Sequence, residues 1–185
     1  MTTRLDIVPG SLSAVAGKAN MTLAESFLNV DALILVDTSA SMDSNDAAGG
    51  KKRYTVAVEE LKRLQTSLPG KIGVVSFSDH AVFCPGGVPQ FLCNGTNLAG
   101  ALRYIKAADD LGIKFIVISD GAPDEPEEAI AVAKKFKTKI DVVYVGPEKG
   151  SGSKFLAELA AATGGQSVTA DLAKDLNQKV QLLLA

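Results

Sequence analysis

Asp37, Ser39 and Ser41 stand two residues apart in Asp-Thr-Ser-Ala-Ser, directly after the apolar run Leu33-Ile34-Leu35-Val36. A carboxylate and two hydroxyls are hard oxygen donors, suited to Mg²⁺ or Mn²⁺ and poor for zinc or copper. Two later segments offer more of the same chemistry. Thr96 lies in Asn94-Gly95-Thr96-Asn97, just ahead of the helical pattern Leu98, Ala101, Leu102, Ile105. Asp120 ends the apolar run Ile116-Val117-Ile118-Ser119. Together these positions supply three neutral hydroxyls and two carboxylates. Such a set leaves much of a divalent ion's charge uncancelled, and so leaves the ion able to attract a further anionic oxygen. Taken singly, each residue is equally well explained as a loop cap, because Asp, Ser and Thr side chains accept backbone N–H groups in turns.

The elements that must position these groups follow from periodicity. Apolar strand patterns cover Leu33–Val36, Ile72–Phe77, Ile113–Ile118 and Ile140–Val145. Helical spacing appears in Tyr54, Ala57, Val58, Leu61 and Leu64, then in Ala129, Ile130, Ala133 and Phe136. It continues in Phe155, Leu156 and Leu159, and in Leu172, Leu176, Val180 and Leu183. Pro69-Gly70 stops the first of these helices, and Asp171 is placed to cap the last, Asp171–Leu184. Strands that alternate with helices predict crossover units: a mainly parallel sheet with helices on both faces. Ser78-Asp79-His80 interrupts the alternation with a hairpin turn, which makes Ala81–Phe83 an antiparallel edge strand. Gln166–Thr169 is short and polar, as an opposite edge should be. The expected fold is therefore a doubly wound, mainly parallel six-stranded sheet with one antiparallel edge strand. In open sheets of this kind, ligands bind beyond the carboxyl ends of the strands. If Asp37 and Asp120 share one ion, their strands must be neighbours at the centre.

The order Asp-x-Ser-x-Ser, then a lone Thr in a turn, then an Asp at a strand end resembles the metal-ion-dependent adhesion site of von Willebrand factor A (VWA) domains. The resemblance runs from about Asp31 to the C-terminus, and Asp37, Ser39, Ser41, Thr96 and Asp120 fill all its positions. All of them in one order favour a metal site over unrelated loop caps. The resemblance implies direct binding of Mg²⁺, or of Mn²⁺ or Ca²⁺, by Ser39, Ser41 and Thr96. It implies that Asp37 and Asp120 act mostly through bound water, and that an acidic side chain of a partner takes the open position. It also implies that the ion's exchange of a direct acidic ligand for a hydroxyl accompanies ligand capture, with the last helix shifting in response. The edge positions of Ala81–Phe83 and Gln166–Thr169 agree with the family pattern.

Composition narrows the alternatives. The 185 residues carry a formal net charge of −2, with 46% hydrophobic and 22% charged residues, an ordinary balance for one globular domain. No basic footprint points to nucleic acid. No run approaches the ~18 apolar residues of a membrane span, and no secretory signal is evident in the first 30 residues. Cys84 and Cys93 are too few for a disulfide framework and are expected as reduced thiols in a cytoplasmic protein. Residues 1–30 read as an N-terminal extension and 31–185 as the VWA-like domain. In the extension, Leu5–Gly10 suits a short strand and turn, and Met21–Leu28 one or two helical turns. The Ser/Ala/Gly/Lys-rich stretch between them reads as a mobile loop.

The expected function is a divalent-metal-dependent protein-binding module, an adaptor or assembly factor and not an enzyme. The family resemblance points to a partner in an ATPase or stress-response complex. The alternative is a Mg²⁺-dependent hydrolase of a phosphorylated substrate, which needs a base and a phosphate cradle. The chain has no Gly-x-x-x-x-Gly-Lys loop, and its one histidine, His80, falls in the expected hairpin turn. Asp43 and Asp46 read as a solvated acidic loop beside the first helix, and Asp124–Glu128 as an acidic helix start. A third possibility is a structural domain whose metal only holds loops together.

Overall fold

The computed structural model describes residues 7–147, 151–170 and 175–184. Six strands form one sheet: β1 (Ala32–Asp37), β2 (Ile72–Phe77), β3 (Ala81–Phe83), β4 (Lys114–Ser119), β5 (Ile140–Tyr144) and β6 (Ser167–Thr169). Their spatial order is β3-β2-β1-β4-β5-β6, and only the β2–β3 pair is antiparallel. The doubly wound fold agrees with the expectation from periodicity, and the central β1–β4 pair and both edge strands agree with the order that a shared ion and the family resemblance imply. Helix α3 (Arg53–Ser67) follows β1, α4 (Leu98–Ile105) precedes β4, and α5 (Pro126–Ala133) follows it. Helices α6 (Ser151–Thr163) and α7 (Leu176–Leu184) complete the C-terminal half. The expected cap Asp171 and the Leu172 turn lie outside the described residues.

Alternation along the strands sends side chains to two separate cores. Leu33, Leu35, Val75, Phe77, Phe115 and Val117 face α4, α5 and α6. Ile34, Val36, Val74, Ile116, Ile118 and Val143 face α3 and α7. Both faces of β1 are therefore buried, which is why Leu33–Val36 reads as a continuous apolar run and not as an alternating one. The same burial fixes the register, since a slip of one residue would swap the two faces. The register pairs Val36 with Ile118, so the chain leaves β1 and β4 at one level.

The N-terminal segment departs from the expectation. The Ser/Ala/Gly/Lys stretch is not a loop but helix α1 (Leu12–Ala19). Ser11 caps it by accepting the Ala14 N–H, and Leu12 and Ala16, one turn apart, are buried. Helix α2 (Leu23–Phe27) follows with a Thr22–Glu25 capping box. The segment is hydrogen-bonded to the domain: Val8 and Ser13 N–H groups donate to Gly86 and Pro85 carbonyls, and Gly70 N–H donates to Gly10. Gly10 has φ +87°, and a Cβ there would lie 2.1 Å from the Gln65 carbonyl oxygen. Gly10→Ala is therefore expected to cost about 1–3 kcal/mol and to loosen this segment. Denaturant unfolding together with limited proteolysis of the segment measures both effects.

A buried carboxylate ties the end of α4 to the approach to β5. Asp109, in the 3-10 turn Lys106–Leu111, is 4% exposed. It accepts the N–H groups of Lys137 and Thr138 and the Lys106 ammonium. Burial alone would push its pKa up, but those donors outweigh it and hold the carboxyl at about 2. Because the folded pKa is depressed, the stabilisation is present above the ordinary value near 4 and is lost as pH falls toward 2. Asp109→Asn is expected to cost about 2 kcal/mol at neutral pH, with the difference from wild type shrinking to nothing near pH 2. Urea midpoints across that range test it.

Candidate metal centre

The carboxyl ends of β1 and β4 bring Asp37 and Asp120 to the same end of the sheet. Asp37 closes β1 and is fully buried. Its Oδ1 accepts the Ser39 N–H at 2.8 Å, and its Oδ2 accepts the Ser119 hydroxyl at 2.5 Å. Burial pushes the carboxyl up to about 6 against the lowering effect of those two donors, and the nearby Asp120 charge adds to the rise. Ser119 was absent from the sequence-based set. Its signal was present, a hydroxyl between the apolar run Phe115–Ile118 and an acid.

Ser39 is the residue before a 3-10 turn, Ala40–Asp43, that follows β1, and Ser41 lies within it. Their hydroxyl oxygens lie 3.1 Å apart, and the Ser41 hydroxyl donates to Asp120 Oδ1 at 2.7 Å. Both separations are close to what a small hard cation asks of adjacent ligand oxygens. At the ~2.1 Å bond length of Mg²⁺ in octahedral geometry, neighbouring ligand oxygens sit about 3 Å apart. Among the described residues no group of three or more His, Cys, Asp and Glu converges, and the donors that do meet here are hydroxyl and carboxylate oxygens. The donor set thus fits Mg²⁺ or Mn²⁺.

Thr96 sits two residues before α4, which Asn97 caps by accepting the Gly100 N–H. Its loop is bonded to both other segments. Asn94 C=O accepts the Ala40 N–H, and Thr38 C=O accepts the Cys93 N–H. Thr96 N–H donates to Asp124 Oδ2 at 2.8 Å while Thr96 C=O accepts the Asp124 N–H. Ser78 adds a hub: its hydroxyl donates to Gly95 C=O and accepts the Asn94 N–H. All three sequence segments are therefore joined by hydrogen bonds: Asp120 to Ser41, Ser41 to Ser39, and Asp37 to the Ser39 N–H and the Ser119 hydroxyl. Asp124, read from sequence as part of an acidic helix start, instead receives the Thr96 amide.

The residue that sequence reasoning missed is Arg53, at the first position of α3. Its Nη1 donates to Asp120 Oδ2 at 2.6 Å, and its Nε and Nη2 grip Asp46 at 2.8 and 2.5 Å. Only 8% of Arg53 is exposed. Asp46 and Asp120 hold the guanidinium protonated, and Arg53 in turn holds Asp46 below the usual carboxylate range. Asp46 is thus not merely a solvated loop acid, whereas Asp43 pairs with Lys52 between two exposed side chains. A sequence signal existed: Arg53 stands one turn before Ala57 and in line with Leu64 on an apolar stripe, and a buried guanidinium there requires a carboxylate.

The remaining candidates make no side-chain hydrogen bond to Asp37, Ser39, Ser41 or Asp120. His80 is exposed in the β2–β3 turn, where its carbonyl accepts the Ser78 N–H. Cys84 and Cys93 are free, Cys84 buried with its sulfur 3.2 Å from the Ser76 hydroxyl. An apolar cavity of about 320 Å³ opens at the other end of the strands, lined by Phe27, Leu33, Val75, Phe83 and Tyr104 among others, and holds none of the candidate ligands.

No family model matches the chain, and no curated protein sequence matches it. Solved structures do. An aerotolerance-related membrane protein from Bacteroides fragilis, carrying multiple mutations to serine, superposes with TM-score 0.65 at 18% identity, over 84% of this chain and 98% of that one. The von Willebrand factor type A protein from Catenulispora acidiphila gives TM-score 0.62 at 18% identity over 83% of this chain, which spans only 41% of that longer one. The manganese-loaded TRAP protein of Plasmodium vivax gives TM-score 0.58 at 15% identity, over 85% and 74% of the two chains. The fold is therefore the doubly wound α/β fold that VWA-type structures share. Among the described residues no helix is long and apolar enough to cross a membrane.

Proposed function

We propose that this chain is a divalent-metal-dependent docking module of the VWA type, not an enzyme, in which Asp37, Ser39, Ser41, Thr96 and Asp120 hold Mg²⁺ or Mn²⁺, with Ca²⁺ admitted at longer bond length. The observation that carries the reading is the convergence of Ser39 Oγ, Ser41 Oγ and Asp120 Oδ1 at separations of 3.1 and 2.7 Å. They meet beyond the carboxyl ends of the two central strands, where open sheets bind ligands. The manganese-loaded state of one structural neighbour supports the same choice of ion. A bound ion would act as a Lewis acid toward an anionic oxygen. The residues would set its position with two carboxylates and three neutral hydroxyls, and leave its coordination open to a further anionic oxygen. The partner is then a protein that presents a solvent-exposed Asp or Glu. The test is capture of binding proteins with and without chelator, paired with Mn²⁺ calorimetry on the isolated chain. Capture that ignores chelator, with no heat of Mn²⁺ binding, would overturn the reading.

A further inference from the structure

The carboxylate that ends β4 is shared. Asp120 Oδ1 faces the Ser41 hydroxyl, while Oδ2 is bound by Arg53 at 2.6 Å. The Asp120 side chain has no exposed surface, and that of Arg53 is 9% exposed. A buried guanidinium on one oxygen of a candidate metal ligand is more than a fold-stabilising pair. It places a fixed positive charge one carboxylate away from where a cation would sit, in a setting where solvent screens little. We propose that Arg53 is a resident counter-cation of the metal centre, which weakens the site's hold on a divalent ion and leaves any bound ion with excess positive charge toward an anionic ligand. This inference rests on the metal-socket reading above.

Three features of the arrangement support it. With Asp37 and Asp120 both ionised, a divalent ion would be formally neutralised; Arg53 adds a positive charge on Asp120, which Asp46, bound to the other nitrogens of the guanidinium and 45% exposed to solvent, offsets only in part. Arg53 also fixes Asp120 through Oδ2, so that Oδ1 is the oxygen turned to the serines. Finally, Asp46 grips the remaining face of the guanidinium through Nε and Nη2, and the side chain of Asp46 is 45% exposed. The charge on Asp120 is thus set by a rigid fork held from outside the site. A lysine would supply the charge without that fork. The consequence is linkage: an ion held weakly alone is held better when an acidic ligand joins it, and the ligand gains equally.

The experiment is Mn²⁺ titration by calorimetry on the full chain, in wild type, Arg53→Met, Arg53→Lys and Asp46→Asn, with circular dichroism confirming the fold. Arg53→Met keeps an unbranched stem as far as the Nε position and removes the charge, so Mn²⁺ should bind roughly tenfold tighter or more. Arg53→Lys should stay within about threefold of wild type, because the charge is kept. Asp46→Asn should bind a few-fold more weakly, since the guanidinium charge is then opposed by Asp120 alone. A purely structural role for Arg53 predicts the opposite sign for Met, because a displaced Asp120 would loosen the ion. Equal or weaker Mn²⁺ binding in folded Arg53→Met overturns the proposal and leaves the metal socket standing. If Arg53→Met does not fold, unchanged affinity in Asp46→Asn overturns it. Absence of Mn²⁺ binding in every variant and in wild type overturns both this inference and the socket itself.

Discussion

Removing both acids, as Asp37→Ala/Asp120→Ala, is expected to abolish Mn²⁺ binding measurable in the wild-type chain, a loss of at least roughly a hundredfold in affinity. The three hydroxyls that remain are neutral, and neutral oxygens do not repay the dehydration of a small divalent ion. Asp120→Ala alone should weaken binding more than any other single change, because it removes half of the site's carboxylate charge and leaves Arg53 facing the site without its buried partner. Asp37→Ala acts differently: it frees the Ser119 hydroxyl and the Ser39 N–H, both of which now point at the carboxylate. The fold should survive the double change. The two acids are buried neighbours whose charges repel, and the core faces of β1 and β4 are apolar and separate from them. Calorimetry decides the matter, with circular dichroism as control. Mn²⁺ affinity that is the same in the double variant and in wild type would mean that these residues are loop caps and nothing more.

Much of this centre was legible in the sequence because its parts sit at strand ends. The runs before Asp37 and Asp120 are continuous in apolar residues, a pattern that fully buried parallel strands require. If the two acids share one ion, their strands must be neighbours, and β1 and β4 do pair directly. The edge hairpin was readable for a similar local reason, the Ser-Asp-His turn between two short strands. What stayed hidden depends on contacts across long sequence separation. Arg53 reaches Asp120 over 67 positions, and no local pattern says which carboxylate a buried arginine will find. Asp124 was read through its own helix, where an acid near an N-terminus suffices, although its oxygen and its N–H both serve Thr96. Helix α1 was missed because its small residues and Gly17 mimic a loop. Its stability comes from burying Leu12 and Ala16 against a domain that local propensity does not see.

Capture of an acidic partner is expected to fall tenfold or more in Thr96→Ala, while folding stability changes by less than about 0.5 kcal/mol. The separation of the two effects follows from how the loop is built. Every hydrogen bond that positions Thr96 uses its backbone: its N–H donates to Asp124, and its carbonyl accepts the N–H groups of Leu98 and Asp124. Ser78, Asp79 and Ala40 hold the flanking Asn94 and Gly95. None of these bonds needs the threonine hydroxyl, so alanine keeps the loop in place and removes only an oxygen donor. If that hydroxyl serves the ion, its loss weakens the ion's seat and with it the bridge to the partner's carboxylate. Partner binding should then become more sensitive to chelator than in wild type, because the ion is held by one ligand fewer. A pull-down across a chelator series, run beside urea unfolding, reads both quantities on the same protein. If Thr96→Ala retains the partner at full strength at every chelator concentration, the ion is not the bridge. The docking surface would then lie elsewhere, and the helical N-terminal segment anchored on Gly70, Pro85 and Gly86 would be the first place to cut.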